Sequence, residues 1–238
     1  LTTNTPAPTV TYTTAQGSLY TATSCSVTVD STEVECTTVA GVGTDFEFVI
    51  SVGGVDAGVQ TSAGLSTSQA YASPSISGVT SSGTLSTAGG EVVTLGGTSF
   101  GPTGTLSALY SATYGPTGTE LTATGCALTS DQTAVECTSA AGVGSTHVWV
   151  LTVSGQISSA SSQTTSYTAP DIVSMSGSMG TAGSTVVTLG GTDFGPLSSS
   201  GEWAALSASI VVSYGGAGAD VYTATGCQVT TADAEIEC

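Results

Sequence analysis

A cysteine pair recurs three times along this chain at one spacing: Cys25/Cys36, Cys126/Cys137 and Cys227/Cys238. The first members stand 101 residues apart, 25 to 126 and 126 to 227. Each is reached through nearly the same residues: Tyr20-Thr-Ala-Thr-Ser-Cys25, Leu121-Thr-Ala-Thr-Gly-Cys126 and Tyr222-Thr-Ala-Thr-Gly-Cys227. Self-similarity at a fixed period means tandem units. The repeated pairs predict disulfides and an oxidising compartment; buried free thiols are the alternative. Zinc fits poorly, because the spacing is C-x10-C and His147 is the only imidazole. A unit repeated end to end is more often a building element than a catalytic centre.

Two further blocks repeat. One reads Pro74-Ser-Ile-Ser-Gly-Val, then Thr87-Ala-Gly-Gly-Glu-Val-Val-Thr-Leu-Gly-Gly-Thr-Ser-Phe-Gly-Pro102. Its partner reads Pro170-Asp-Ile-Val-Ser-Met, then Thr181-Ala-Gly-Ser-Thr-Val-Val-Thr-Leu-Gly-Gly-Thr-Asp-Phe-Gly-Pro196. The other follows the cysteines, Ala40-Gly-Val-Gly-Thr-Asp-Phe-Glu-Phe-Val-Ile-Ser-Val-Gly53 and Ala141-Gly-Val-Gly-Ser-Thr-His-Val-Trp-Val-Leu-Thr-Val-Ser154. Period-2 alternation predicts strands. Phe46, Phe48, Ile50 and Val52 share one face, as do His147, Trp149, Leu151 and Val153. Val92–Leu95 and Val186–Leu189 read as short strands stopped by Gly-Gly, and Tyr12, Tyr114 and Tyr214 close another strand before a Gly-rich turn. No helical period of useful length is present. Several short strands per unit, separated by turn signals, predict an all-β chain of sandwiches.

The joints fall at Tyr71–Pro74 and Tyr167–Pro170, giving units 1–71, 72–168 and 169–238. Short joints limit freedom between units and favour a rod. Only the middle unit has every block. Residues 1–71 lack the opening block and 169–238 the closing strand, so the chain reads as starting and stopping inside a repeat. Two explanations stay open: a window cut from a longer array, or completion by other chains through strand addition. The spacing itself hides compensation. Phe100 to Cys126 is 26 residues and Phe194 to Cys227 is 33. The sandwich repeats, not the residue count.

Composition narrows the partners. There is no Lys or Arg against 17 acidic residues, where average usage would give about 28 basic ones. That removes phosphate clamps and the counterion release behind nucleic-acid binding, and it disfavours anionic membranes. Ser and Thr form about a third of the chain, yet 39% of residues are hydrophobic, which is unlike a disordered segment. No apolar run has the length of a membrane helix. The chain opens at Leu1 without a basic or apolar leader, as a mature or trimmed segment would.

The opening block, with its Pro start, Thr-Ala-Gly-Gly turn, Val-Val-Thr-Leu-Gly-Gly strand and Phe-Gly, resembles the IPT/TIG family of immunoglobulin-like domains. The Cys-x4-Gly-Val-Gly closing block is similar to the same family. The likeness covers essentially the whole chain and is closest to the tandem arrays of secreted and cell-surface proteins. It implies Ig-like sandwiches and an extracellular setting. It implies no particular function and no catalytic residues, because the family's members serve as spacers, receptor ectodomains, enzyme accessory domains and DNA-binding modules; charge excludes the last.

Candidate chemistry is sparse. His147 reads as a strand-end residue at the rim of a core, and no G-x-S-x-G elbow accompanies it. Glu33/Glu35, Glu136 and Asp233/Glu235/Glu237 lie on the cysteine hairpins, where a solvated edge that discourages aggregation is the plainer reading than paired catalytic carboxylates. Weak Ca²⁺ binding at the joints, with Asp171, is a second reading, although no EF-hand loop supports it. Thr-Ala-Thr recurs too sparsely for an ice-binding face. The Ser/Thr/Pro-rich start makes Thr2, Thr3, Thr5 and Thr9 candidates for O-glycans. Trp203, in a seven-residue insertion, is the candidate sugar contact. The sequence thus predicts a non-enzymatic extracellular structural protein that polymerises head to tail with copies of itself, binds no nucleic acid and inserts in no membrane. A cell-surface adhesion or carbohydrate-binding ectodomain is the alternative, and an accessory domain of a larger enzyme a third.

Overall fold

A computed structural model describes residues 7–54, 58–206, 209–215 and 221–238; the glycan candidates Thr2, Thr3 and Thr5 lie outside them. The chain is all-β, in several sheets whose arrangement is consistent with a β-sandwich. Residues 7–71 form β1 (Thr9–Thr13), β2 (Leu19–Thr21), β3 (Thr23–Val29), β4 (Glu33–Thr37), β5 (Glu47–Gly54), β6 (Gly58–Thr61) and β7 (Leu65–Ser66). Residues 72–168 form β8 (Ser75–Ser81), β9 (Val92–Thr98), β10 (Tyr110–Gly115), β11 (Leu121–Ser130), β12 (Ala134–Thr138), β13 (Val148–Val153) and β14 (Gln156–Ile157). Residues 169–238 form β15 (Asp171–Ser176), β16 (Thr188–Thr192), the helical turn α1 (Gly201–Ala205), β17 (Ser213–Gly215), β18 (Val221–Thr223), β19 (Gln228–Thr231) and β20 (Glu235–Glu237).

The middle segment sets the pattern. Its strands run in the order β14-β13-β10-β11-β12-β9-β8, all antiparallel. β11 breaks register between Thr124 and Ala127, where Gly125 has φ +62°. A bulge bends its strand, so the two halves of β11 serve different layers. Trp149, Leu151 and Val153 of β13 meet Val93 and Leu95 of β9 and Val135 of β12 in one cluster, each no more than 1% exposed. Cys126 and Cys137 join the same cluster, and their disulfide ties β11 to β12.

The flanking segments each hold one whole layer and a remnant of the other. In residues 7–71 the order is β2-β1-β5-β6, with β7 also on β5, and β3–β4 stand as a separate hairpin. In residues 169–238 the order is β15-β16-β20-β19, and β17–β18 stand apart. Among the described residues, β8 and β9 have no counterpart in the first segment, and β13 and β14 none in the last. Exposure follows. Val153 is 1% exposed but its counterpart Val52 is 45%, and Tyr114 is buried but its counterpart Tyr214 is 45% exposed.

Two strands run further than their sequence suggests. The Gly-Gly pairs do not stop their strands: β9 runs through Gly96-Gly97 and β16 through Gly190-Gly191. The neighbouring strand comes too close for a side chain. A Cβ on Gly97 would lie 2.0 Å from the Ser75 carbonyl oxygen and 2.5 Å from the Phe100 ring. On Gly191 the same distances recur against Asp171 and Phe194.

Candidate functional site: the joints between repeats

The same contact is made at both joints. The Gly-Val-Gly loop of one segment drives its valine against the Phe-Gly-Pro loop of the next. Val42 is 3% exposed and belongs to the core cluster of the middle segment. A Cβ on Gly101 would lie 2.4 Å from Val42 Cγ1, and one on Gly195 would lie 2.2 Å from Val143 Cγ1. Both glycines also have positive φ, +95° and +91°, which favours glycine. Sequence gives Val42 and Val143 no special mark, since a valine between glycines reads as loop.

Hydrogen bonds hold each glycine loop in place. Gln132 Oε1 accepts from the Gly101 N–H at 3.2 Å, and Asp233 Oδ1 accepts from the Gly195 N–H at 3.2 Å. Gln132 and Asp233 occupy the same hairpin-turn position, with φ +61° and +59°. At the first joint Gln156, just past the turn after β13, reaches across the segment boundary. Its Nε2 donates to the Tyr71 carbonyl at 2.7 Å and its Oε1 accepts from the Gly43 N–H at 3.2 Å. At the second joint the buried Thr87 hydroxyl donates to Asp233 Oδ1 at 2.5 Å, with Asp193 Oδ1 3.4 Å away.

A tyrosine pair fixes the chain just before each joint. Tyr114 and Tyr167 hydroxyls are 2.7 Å apart. The Ala140 N–H donates to Tyr114 Oη at 2.8 Å, and Tyr167 Oη donates to the Ala140 carbonyl at 2.8 Å. Tyr12, Tyr71 and Val39 repeat the triangle, with Tyr12–Tyr71 at 2.9 Å. Burial pushes the Tyr114 and Tyr167 phenols up, and those of Tyr71 and Tyr110 too, because the phenolate loses its solvation.

Disulfides join Cys25–Cys36, Cys126–Cys137 and Cys227–Cys238, a pattern that fits an oxidising setting. His147 is not at a rim. It is 1% exposed, its Nε2 lies 3.1 Å from the Val143 carbonyl, and its Nδ1 has no partner. Burial holds its imidazole below the usual range. Trp203 is among the residues that line a cavity at the second joint. It lies half-buried on α1, packed against the cluster of Leu189, Phe194, Val229 and Ile236. Thr9 is exposed on β1. Glu33 and Glu235 each accept from a threonine across their hairpins, at 2.7 Å from Thr28 and 3.0 Å from Thr230. Asp171 is exposed on β15. Among the described residues no three His, Cys, Asp or Glu side chains gather as a metal site, and no helix is long and apolar enough to cross a membrane.

A cavity of about 710 Å³ opens at the second joint, between Val143 and His147 on one side and Leu189, Phe194, Val212 and Ile236 on the other. Leu189, Phe194 and Ile236 are buried there and belong to the core cluster of the last segment. The cavity's size suits a peptide or small ligand, and Ser145, His147, Tyr167, Thr168, Asp193 and Ser209 are among its lining residues. No family model, curated protein or solved structure matches the chain.

Proposed function

We propose that this protein is an extracellular structural repeat protein. Its units are Ig-like sandwiches of the IPT/TIG kind, bounded at 1–71, 72–168 and 169–238, and they stack into a rod, stalk or filament that extends head to tail. The observation that carries this reading is the repetition of the joint. Val42 on Gly101 and Val143 on Gly195 are the same contact made twice, as a stacked array requires. Burying one valine contributes about 1.5–3 kcal/mol, enough to bias a short joint toward one angle when hydrogen bonds to Gln156 or Asp233 accompany it. The disulfides lock one hairpin per unit, and the wholly acidic charge keeps neighbouring rods apart. O-glycans on Thr9 and on Thr2, Thr3 and Thr5 belong to the same proposal. The role is mechanical rather than enzymatic, and it uses no cofactor beyond weak Ca²⁺ at the joints.

Negative-stain electron microscopy of material from the native source tests this. Thin unbranched rods or filaments with a repeat along their length support it; isolated particles with no axial repeat contradict it.

A further inference from the structure

The two joints anchor their valine differently. At the first, Tyr20 Oη donates to the Val42 carbonyl and accepts from the Val42 N–H, both at 3.0 Å. Tyr20 pairs with Tyr12, and the residue that pairs in the same way with Tyr114 is Leu121, which has no hydroxyl. At the second joint the Val143 carbonyl bonds instead to His147 Nε2 at 3.1 Å. His147 stands where the first segment has Phe46. Phe46 meets Tyr71 edge-on at 5.4 Å, and His147 meets Tyr167 edge-on at 5.4 Å. The polar anchor has thus moved from one strand position to another, and in moving it has become titratable near neutral pH. A carbonyl only accepts, so Nε2 carries the proton and Nδ1 is bare. Nδ1 is buried without a partner. The Tyr114 and Tyr167 rings face the imidazole, but their hydroxyls are engaged with each other and with Ala140.

We propose that His147 makes the second joint a pH-sensitive catch, closed while its imidazole is neutral and released in mild acid, whereas the first joint does not respond. The inference goes beyond the rod reading and does not need it, because both joints lie within one chain. Protonation puts an N–H on Nδ1 where no acceptor waits, and a cation where burial disfavours one. Gly144, with φ +102°, sits between the valine and its anchor, and residues 144–146 are exposed. The loop can therefore swing out and carry the ring to water. The same movement withdraws Val143 from Gly195, where the two are in close contact. Other titratable groups face the ring. The phenols of Tyr114 on β10 and of Tyr167 are raised and stay neutral in acid. Glu120, ahead of β11, attracts an imidazolium, but less strongly than burial opposes it. Across the joint, Asp193 lines the same cavity and the charge of Glu202 on α1 reaches Tyr167. An opened loop frees an ordinary imidazole. The closed form is thus fully favoured above about pH 6.5 and loses up to about tenfold per pH unit below it, until the closed-state value is reached.

The test follows the oxidised chain from pH 7 to pH 5, above the ordinary carboxylate range. Nitrogen-15 NMR reads the protonation of His147, the only imidazole in the chain. Hydrogen exchange, corrected for its intrinsic pH dependence, reads the joints. The Tyr167 amide, bonded to the Gly144 carbonyl, and the Gly195 amide report the second joint. The Tyr71 amide, bonded to the Gly43 carbonyl, and the Gly101 amide report the first. Expected is a rise of about tenfold at Tyr167 and Gly195 that tracks the imidazole titration, with Tyr71 and Gly101 unchanged. Leu121→Tyr with His147→Phe installs the anchor of the first joint and should abolish the response. Tyr20→Leu with Phe46→His should move it to Tyr71 and Gly101, and decides the matter if the first pair does not fold. An imidazole that stays neutral down to pH 5 overturns the proposal, as does one that takes up its proton while the Tyr167 and Gly195 amides stay protected. An equal response at the first joint overturns it too. So does a response that survives without His147, which would assign it to Asp193 and Asp233.

Discussion

Val42 Cγ1 stands 2.4 Å from where a Cβ on Gly101 would be, so the valine of one repeat occupies the space that a side chain on the next would need. Gly101→Ala therefore meets a steric clash and a backbone with φ +95° at once, and the strained backbone alone costs about 1–3 kcal/mol. The expected outcome is a lower urea midpoint, with residues 12–43 gaining exchange relative to β8–β14. Val42→Ala in the same chain removes part of the clash, so the double variant should lose less than the sum of the two singles. Strict additivity would place the two residues out of contact.

Gln156→Ala removes both hydrogen bonds to the first segment, to Tyr71 and to Gly43. At about 0.5–1.5 kcal/mol for each, the expected loss is roughly 1–3 kcal/mol of coupling between the segments. Limited proteolysis near Tyr71–Pro74 reads it: faster cleavage in the variant is predicted, with no change in the cleavage of β8–β14.

Tyr167→Phe leaves the Ala140 carbonyl and the Tyr114 hydroxyl short of a partner in a buried setting. The predicted cost is about 1–3 kcal/mol, read as a fall in melting temperature. The phenols of Tyr71, Tyr110, Tyr114 and Tyr167 are raised above the ordinary value of 10. An acid whose folded value is raised contributes stability that is complete below the unfolded value and fades as pH climbs toward the folded one. Ultraviolet titration should thus show a group of tyrosines that ionises only above about pH 10 and together with unfolding.

His147 gives the opposite sign at the acid side. Its folded value is held below 6.5 by burial, so as pH falls past 6.5 the unfolded chain takes up the proton first. Stability is complete above 6.5 and declines until the folded value is reached. His147→Phe, the residue that position 46 already carries in the first repeat, should flatten the urea midpoint across that window. The carboxyl of Glu120 is held low by hydrogen bonds from Thr117 and Thr119, so its contribution is lost only at pH values below 4.5. Persistence of the His147 window in the Phe variant would assign it to another group.

Most strands could be read from the sequence because alternation is local. Trp149, Leu151 and Val153 announce their face without any knowledge of what covers it, and the cysteine pairs announce a hairpin each. What the sequence hid depends on register between distant elements. The crossing of β8 over Gly97 turned an expected strand end into a strand centre. The partners of Gln156 and Asp233 lie across a joint, beyond the reach of any local pattern. His147 looked like a rim residue because its polarity outweighed its place, where Phe46 stands in the first repeat. Trp203 looked like an exposed anchor because the insertion around it carries no period, yet α1 folds it onto Phe194.

The account stands or falls on whether such units stack into an extended array. Electron microscopy of native material, at a resolution that separates single sandwiches, is the direct measurement. The account predicts a filament whose neighbouring sandwiches are related by one constant joint, with Val42 and Val143 in equivalent places along the axis. Discrete globular particles, or sandwiches joined at unrelated angles, would contradict it.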